Sequence, residues 1–139
     1  MEIPPIESFR QHDGTVYGPP FSVDPKGADF TLTIPEGDTM WEPHEASYRM
    51  ARLVLAELEA LTKTAVHYLS GGIDFADWGI TGEPYLNHLE CDARAEKITL
   101  SMSWESNIHH EWSVMFFWRE REDDVPRWCW PTGFAFRNR

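Results

Sequence analysis

His88 and Glu90 stand two apart in the segment Tyr85–Cys91, whose composition reads as a strand. Side chains two apart on a strand share a face. An imidazole and a carboxylate placed that way could serve as a general acid–base pair, or simply stand on a solvated face. Glu57 lies at the edge of an apolar helical stripe, between Val54, Leu58 and Leu61. A carboxyl held among apolar neighbours suits acid or base work; the plainer alternative is that it reaches to solvent or pairs with a neighbour. Glu57, His88 and Glu90 are therefore the candidate catalytic residues.

His109-His110-Glu111 has the residue types of a metal site. Adjacent strand residues point to opposite faces, so both imidazoles reach one ion only from a turn. The spacing fits neither HExxH nor a facial triad. His44-Glu45 lacks a second histidine four residues on, where Tyr48 stands. No G-x-S-x-G elbow, G-x-G-x-x-G fingerprint or P-loop occurs. No metal and no cofactor is expected.

A second constellation points to binding. Asp74, Asp77 and Glu83 are interleaved with Phe75, Trp78 and Tyr85, and Glu90 and Asp92 follow. Charge steers a basic partner toward such a surface, and aromatic side chains anchor it. Seven tryptophans reinforce the point: they fill a bulky core, or some form an open aromatic face.

These residues need elements to position them. Asp29–Ile34 alternates, with Phe30, Leu32 and Ile34 opposite Thr31 and Thr33, the pattern of a half-buried strand. Thr39-Met40-Trp41-Glu42 resembles a capping box, and Pro43 suits a first helical turn. A helix is predicted from there to about Leu69, stopped by Gly71-Gly72. Met50, Val54, Leu58, Leu61, Ala65 and Tyr68 form its apolar stripe. Glu45–Arg49 and Glu59–Lys63 are i,i+4 pairs in the favourable order. Residues 73–84 read as a connection. Strands then follow at Tyr85–Cys91, Lys97–Trp104, Glu111–Arg119 and Trp128–Arg137. Ser113, Met115 and Phe117 on the second face of Glu111–Arg119 suggest an interior strand.

Residues 1–28 hold Pro4, Pro5, Pro19, Pro20 and Pro25 and show no helical period. They read as an extended arm, with turns at Asp13-Gly14 and Gly18-Pro19, the option of a short hairpin around Asp13-Gly14, and anchors at Phe9, Val16, Tyr17 and Phe21. The expected fold is α+β in the order strand, helix, strands. One long amphipathic helix would cross a single antiparallel sheet of about four to six strands.

A chain of 139 residues and 16.1 kDa suits one domain spanning 1–139. With 12 basic and 23 acidic residues, its formal charge is −11. The acids are spread along the whole length. Such a surface repels phosphate backbones, and no basic stripe offers nucleic acid a footing. No apolar run approaches the roughly 20 residues of a membrane span. Cys91 and Cys129 lack metal or redox spacing and read as small buried hydrophobes. The absence of a basic region and apolar core near Met1 points to the cytoplasm.

The expectation is a small acidic cytoplasmic binding protein, of an inhibitor or immunity type, that covers a basic protein partner. The alternative is a ligand-binding or enzymatic module with an aromatic-lined pocket between helix and sheet. A homodimer through the second sheet face is a further option, opposed by like-charge repulsion.

Overall fold

A computed structural model describes residues 3–12, 15–23, 29–38, 42–120 and 127–139, with backbone alone at 127 and 128. The anticipated cap at Thr39–Glu42 and the turn at Asp13-Gly14 fall outside the described residues or only graze them.

Strands dominate the fold. The N-terminal segment contributes a 3-10 turn at Ile6–Ser8 and three short strands: β1 (Arg10–His12), β2 (Thr15–Tyr17) and β3 (Phe21–Ser22). β4 (Asp29–Pro35) follows, then two helices, α1 (Glu45–Ala56) and α2 (Leu58–Gly72). β5 (Tyr85–Asp92), β6 (Lys97–Trp104), β7 (Asn107–Glu120) and β8 (Arg127–Asn138) complete the chain. All the strands join one eight-stranded sheet in the order β1-β2-β4-β5-β6-β7-β8, with β3 also paired to β4. Every pairing is antiparallel except β4 with β5, which run parallel because the two helices carry the chain back between them.

This corrects the expected fold in three respects. The sheet has eight strands rather than four to six, because the proline-rich arm forms β1, β2 and β3. Each is two or three residues long, too short to show periodicity. The sheet is mixed rather than purely antiparallel. The single long helix is two helices, parted at Glu57, whose backbone leaves helical geometry at φ −118°, ψ 18°. No glycine or proline marks the break. Its effect is positional: α1 packs on β4 and β5, whereas α2 packs on β8. One continuous apolar stripe thereby crosses from one side of a twisted sheet to the other. Of the two expected pairs, Glu59–Lys63 forms at 3.4 Å, and no Glu45–Arg49 ion pair is present.

The helices cover one face of the sheet. Alternation places Phe30, Leu32 and Ile34 of β4 on that face, with Leu89 and Cys91 of β5. Ile98, Leu100, Met102 and Trp104 of β6 and Trp112, Val114, Phe116 and Trp118 of β7 complete it, all buried. Burial drives the Cys91 thiol pKa far up, which makes it an inert core residue.

Ser47 joins this layer to the sheet. It is fully buried on α1, its Oγ accepts the Ala93 amide at 2.9 Å, and it shares a 2.7 Å hydrogen bond with His44 Nδ1. Ser47→Ala removes the partner of the part-buried Ala93 amide and of His44 Nδ1. It is expected to destabilise by about 1–3 kcal/mol, seen as a lower urea midpoint at unchanged m.

Candidate functional site

The second face of the sheet is polar from β4 to β6 and turns apolar at Met115, Phe117 and Trp130 toward one end of β7 and β8. Thr31 and Thr33 of β4 register with His88 and Glu90 of β5. His88 and Glu90 register in turn with Ser101 and Thr99 of β6, and Ser101 with Ser113 of β7. Both helices pack on the apolar face, so among the described residues no helix lies over this one.

The polar groups satisfy one another. His88 Nδ1 meets Thr31 Oγ1 at 2.8 Å, and His88 Nε2 meets Thr33 Oγ1 at 2.8 Å. A neutral imidazole fits both bonds, donating to one hydroxyl and accepting from the other. Ser101 and Ser113 share a hydrogen bond at 2.8 Å. Asn87 stands at a bulge between Leu86 and His88. Its Nδ2 donates to Ser103 Oγ at 2.9 Å and to Glu111 Oε2 at 3.0 Å. Glu111 is only 7% exposed, and its other oxygen holds the Arg137 guanidinium at 2.7 Å. Arg139 donates to the Tyr85 hydroxyl at 3.0 Å and to Ser103 Oγ at 3.2 Å.

Burial depresses the pKa of His88 below its ordinary value, against the pull of Glu90 and Glu111 and with a small push from Arg137. The unfolded imidazole takes a proton near pH 6.5, but the folded one resists until a lower pH. Between those values the unfolded state binds more protons, so His88 contributes stability above about pH 6.5 that is lost as pH falls toward its folded value. Urea unfolding at pH 7.5 and pH 5.5 is expected to show a smaller pH dependence in His88→Gln than in the wild type. Equal dependence in the two proteins would refute the assignment.

The candidate residues are thus distributed as follows. His88 and Glu90 share a face, His88 half-buried and Glu90 exposed. Glu57 is half-buried at the helix junction, where its carbonyl accepts the Leu61 amide at 3.0 Å. The sheet lies between Glu57 and the other two, so the three do not converge. His109 is exposed, whereas His110 turns into an aromatic cluster on the opposite face. Among the described residues no three His, Cys, Asp or Glu side chains gather as a metal-binding group. Sequence reasoning weighed Glu111 only as part of a metal site and gave Asn87, Arg137 and Arg139 no role in a site. The usable signal was register: Glu111 shares a strand face with Ser113.

The acidic-aromatic segment sits at one end of the sheet. Asp74, Asp77 and Glu83 are exposed. Asp74 also shapes its loop by accepting the Ala76 amide at 2.9 Å. Phe75 turns inward, edge-on to Trp104 with ring centroids 5.6 Å apart. Trp78 stands edge-on to Trp112 at 5.0 Å, and its ring is 5.1 Å from Phe136 and 5.2 Å from His110. Asn107 Nδ2 holds the Trp78 carbonyl at 2.7 Å, and Asn107 Oδ1 accepts the Trp112 indole N–H at 3.2 Å. Tyr85 lies on the polar face with Arg139.

What remains outward at this end is apolar and charged, with Arg137 and Arg139 following Phe136 on β8 and Arg137 paired to Glu111. Phe136 is 49% exposed, and Ile108, two residues before His110 on β7, is 54% exposed. Glu105 is exposed in the adjoining β6–β7 turn. Comparison with known protein families, curated proteins and solved structures finds no match to this chain. No described helix is long and apolar enough to cross a membrane.

Proposed function

We propose that this chain is a protein-binding domain, of an inhibitor or immunity type, that covers a basic partner. The contact surface is the end of the sheet formed by the 73–84 connection, the β6–β7 turn and the last residues of β8. The observation that supports this reading is the position of Ile108 and Phe136. Phe136 projects from a cluster of Trp78, His110 and Trp112, and Ile108 stands exposed two residues before His110. Exposed carboxylates at Asp74, Asp77 and Glu83 lie on the connection that carries Trp78, with Glu105 in the turn before Ile108. Half-exposed apolar groups held on a fixed base lose little freedom when covered. Exposed carboxylates raise the encounter rate with a basic partner.

Two further features favour binding over catalysis. The most promising acid–base residue, His88, has both ring nitrogens engaged. The second sheet face is hydroxyls, His88 and the Glu111–Arg137 pair over most of its area, with exposed apolar surface chiefly at the Phe117–Trp130 stack beside Arg119, so it offers a homodimer of acidic chains little apolar contact.

The test is affinity capture from a lysate of the source organism at low and high salt, read by mass spectrometry. Wild type is run beside Asp74→Lys/Asp77→Lys and a distant control, Glu59→Lys. The reading predicts a basic protein that is retained at low salt, shed at high salt, lost by the double variant and kept by the control. A retained protein indifferent to both substitutions, or no retained protein, would contradict it.

A further inference from the structure

The far end of the molecule carries a different site. A groove of about 780 Å³ opens between α1, the β5–β6 turn and the end of β7. That size falls in the range of small-molecule sites, about 300–1,000 Å³. Its walls include Met50 and Leu53 of α1, and Leu53, 40% exposed, gives the groove an accessible apolar wall.

Three guanidinium groups line the groove in a chain of net charge −11: Arg49, Arg52 and Arg119. Arg119 is engaged by Glu96, which it holds through two hydrogen bonds, one of 2.9 Å. That pairing also keeps the Glu96 carboxyl pKa below the usual range. Arg49 and Arg52 are different. They stand three apart on α1, hence on neighbouring positions of one helix surface, and neither forms an ion pair with a described residue. The helical partner that the sequence offers Arg49, Glu45, is not taken up. With Arg119 and Glu96 cancelling, the remaining charges among the described lining residues are Arg49, Arg52 and Glu120, an excess of one positive charge among them.

We propose that this groove binds a small organic anion, a carboxylate or phosphate ester on an apolar body about the size of a fused ring pair. Guanidinium forks match both headgroups. Arg49 and Arg52 would hold the anion, while the body lies along Leu53 and Met50. The site is independent of the partner surface, which occupies the opposite end of the sheet.

Three probes that share one ring system test it: 1-naphthoate, 1-naphthyl phosphate and the neutral 1-naphthol, titrated by calorimetry into wild type and Arg49→Gln/Arg52→Gln. Glutamine preserves helix propensity at these positions, and circular dichroism checks folding. The expected result is saturable 1:1 binding of at least one anion, weakened tenfold or more by the double substitution and by high salt. Naphthol should bind more weakly than that anion and equally to both proteins. The preferred anion separates a carboxylate site from a phosphate site. Leu53→Asn, which removes the apolar wall and keeps both arginines, should weaken all three probes. Equal binding of naphthol and the anions, unchanged affinity in the arginine variant, or no saturable binding would overturn the proposal.

Discussion

Trp112→Ala is expected to lower the unfolding free energy by about 3–5 kcal/mol, the range for truncating a buried large aromatic. Trp112 is fully buried on β7. Its ring is the floor on which Trp78 and Phe136 rest, at 5.0 Å and 5.1 Å. Its indole N–H also engages Asn107, which in turn holds the Trp78 carbonyl. Removing the ring opens a cavity, leaves Asn107 Oδ1 without this donor and frees the 73–84 connection from its seat. The loss is a large share of a total stability of about 5–15 kcal/mol. Urea titration at neutral pH measures it, and Trp112→Phe, which keeps most of the volume, should recover much of it. A loss below about 1 kcal/mol in the alanine variant would mean that the cluster does not hold this end together.

The second large effect is on association. Phe136→Ala is expected to weaken partner binding by at least roughly 30-fold, the loss that corresponds to about 2 kcal/mol at a hot spot. Its effect on stability should be modest, because the ring is half exposed already. The separation of the two effects is the informative part. A core aromatic such as Trp112 should lose stability and binding together, and a contact residue should lose binding alone. Binding can be measured by interferometry against the captured partner, and stability by urea. If Phe136→Ala destabilises strongly yet binds normally once folded, Phe136 is a packing residue and the proposed surface moves elsewhere.

The parts of the fold that were legible in the sequence are those governed by side-chain alternation. Phe30-Leu32-Ile34, Ile98-Leu100-Met102-Trp104 and Trp112-Val114-Phe116-Trp118 each present one apolar face, and each becomes one row of the core. The break at Glu57 was not legible. Val54, Leu58 and Leu61 continue the same helical stripe through it, and no glycine or proline marks it. Of the arm, only the short hairpin about Asp13-Gly14 was legible, and β1 and β2 pair antiparallel on either side of it. The rest was not, because strands of two or three residues gain their place in the sheet from β2 and β3 pairing with β4, not from propensity. Parallel pairing of β4 with β5 is likewise a property of the crossover.

The binding candidates show the same division. Asp74, Asp77 and Glu83 were readable as exposed charges. The sequence could not say that Phe75 and Trp78 would turn inward, because that depends on Trp104 and Trp112, more than 20 residues further on. Nor could it reveal Phe136 and Ile108 as the outward groups, since β8 and β7 bring them to that end. His88 and Glu90 were placed on one strand face by spacing alone, but the threonines that occupy both nitrogens of His88 come from a strand more than 50 residues earlier.

The measurement that tests the central claim most directly is amide hydrogen exchange of this chain, free and saturated with its captured partner. The account predicts slower exchange in the complex at 74–84 and 105–110, with α1 and the His88–Glu90 segment unchanged. Protection confined to α1 or to the polar sheet face, with 74–84 and 105–110 exchanging as in the free protein, would contradict it.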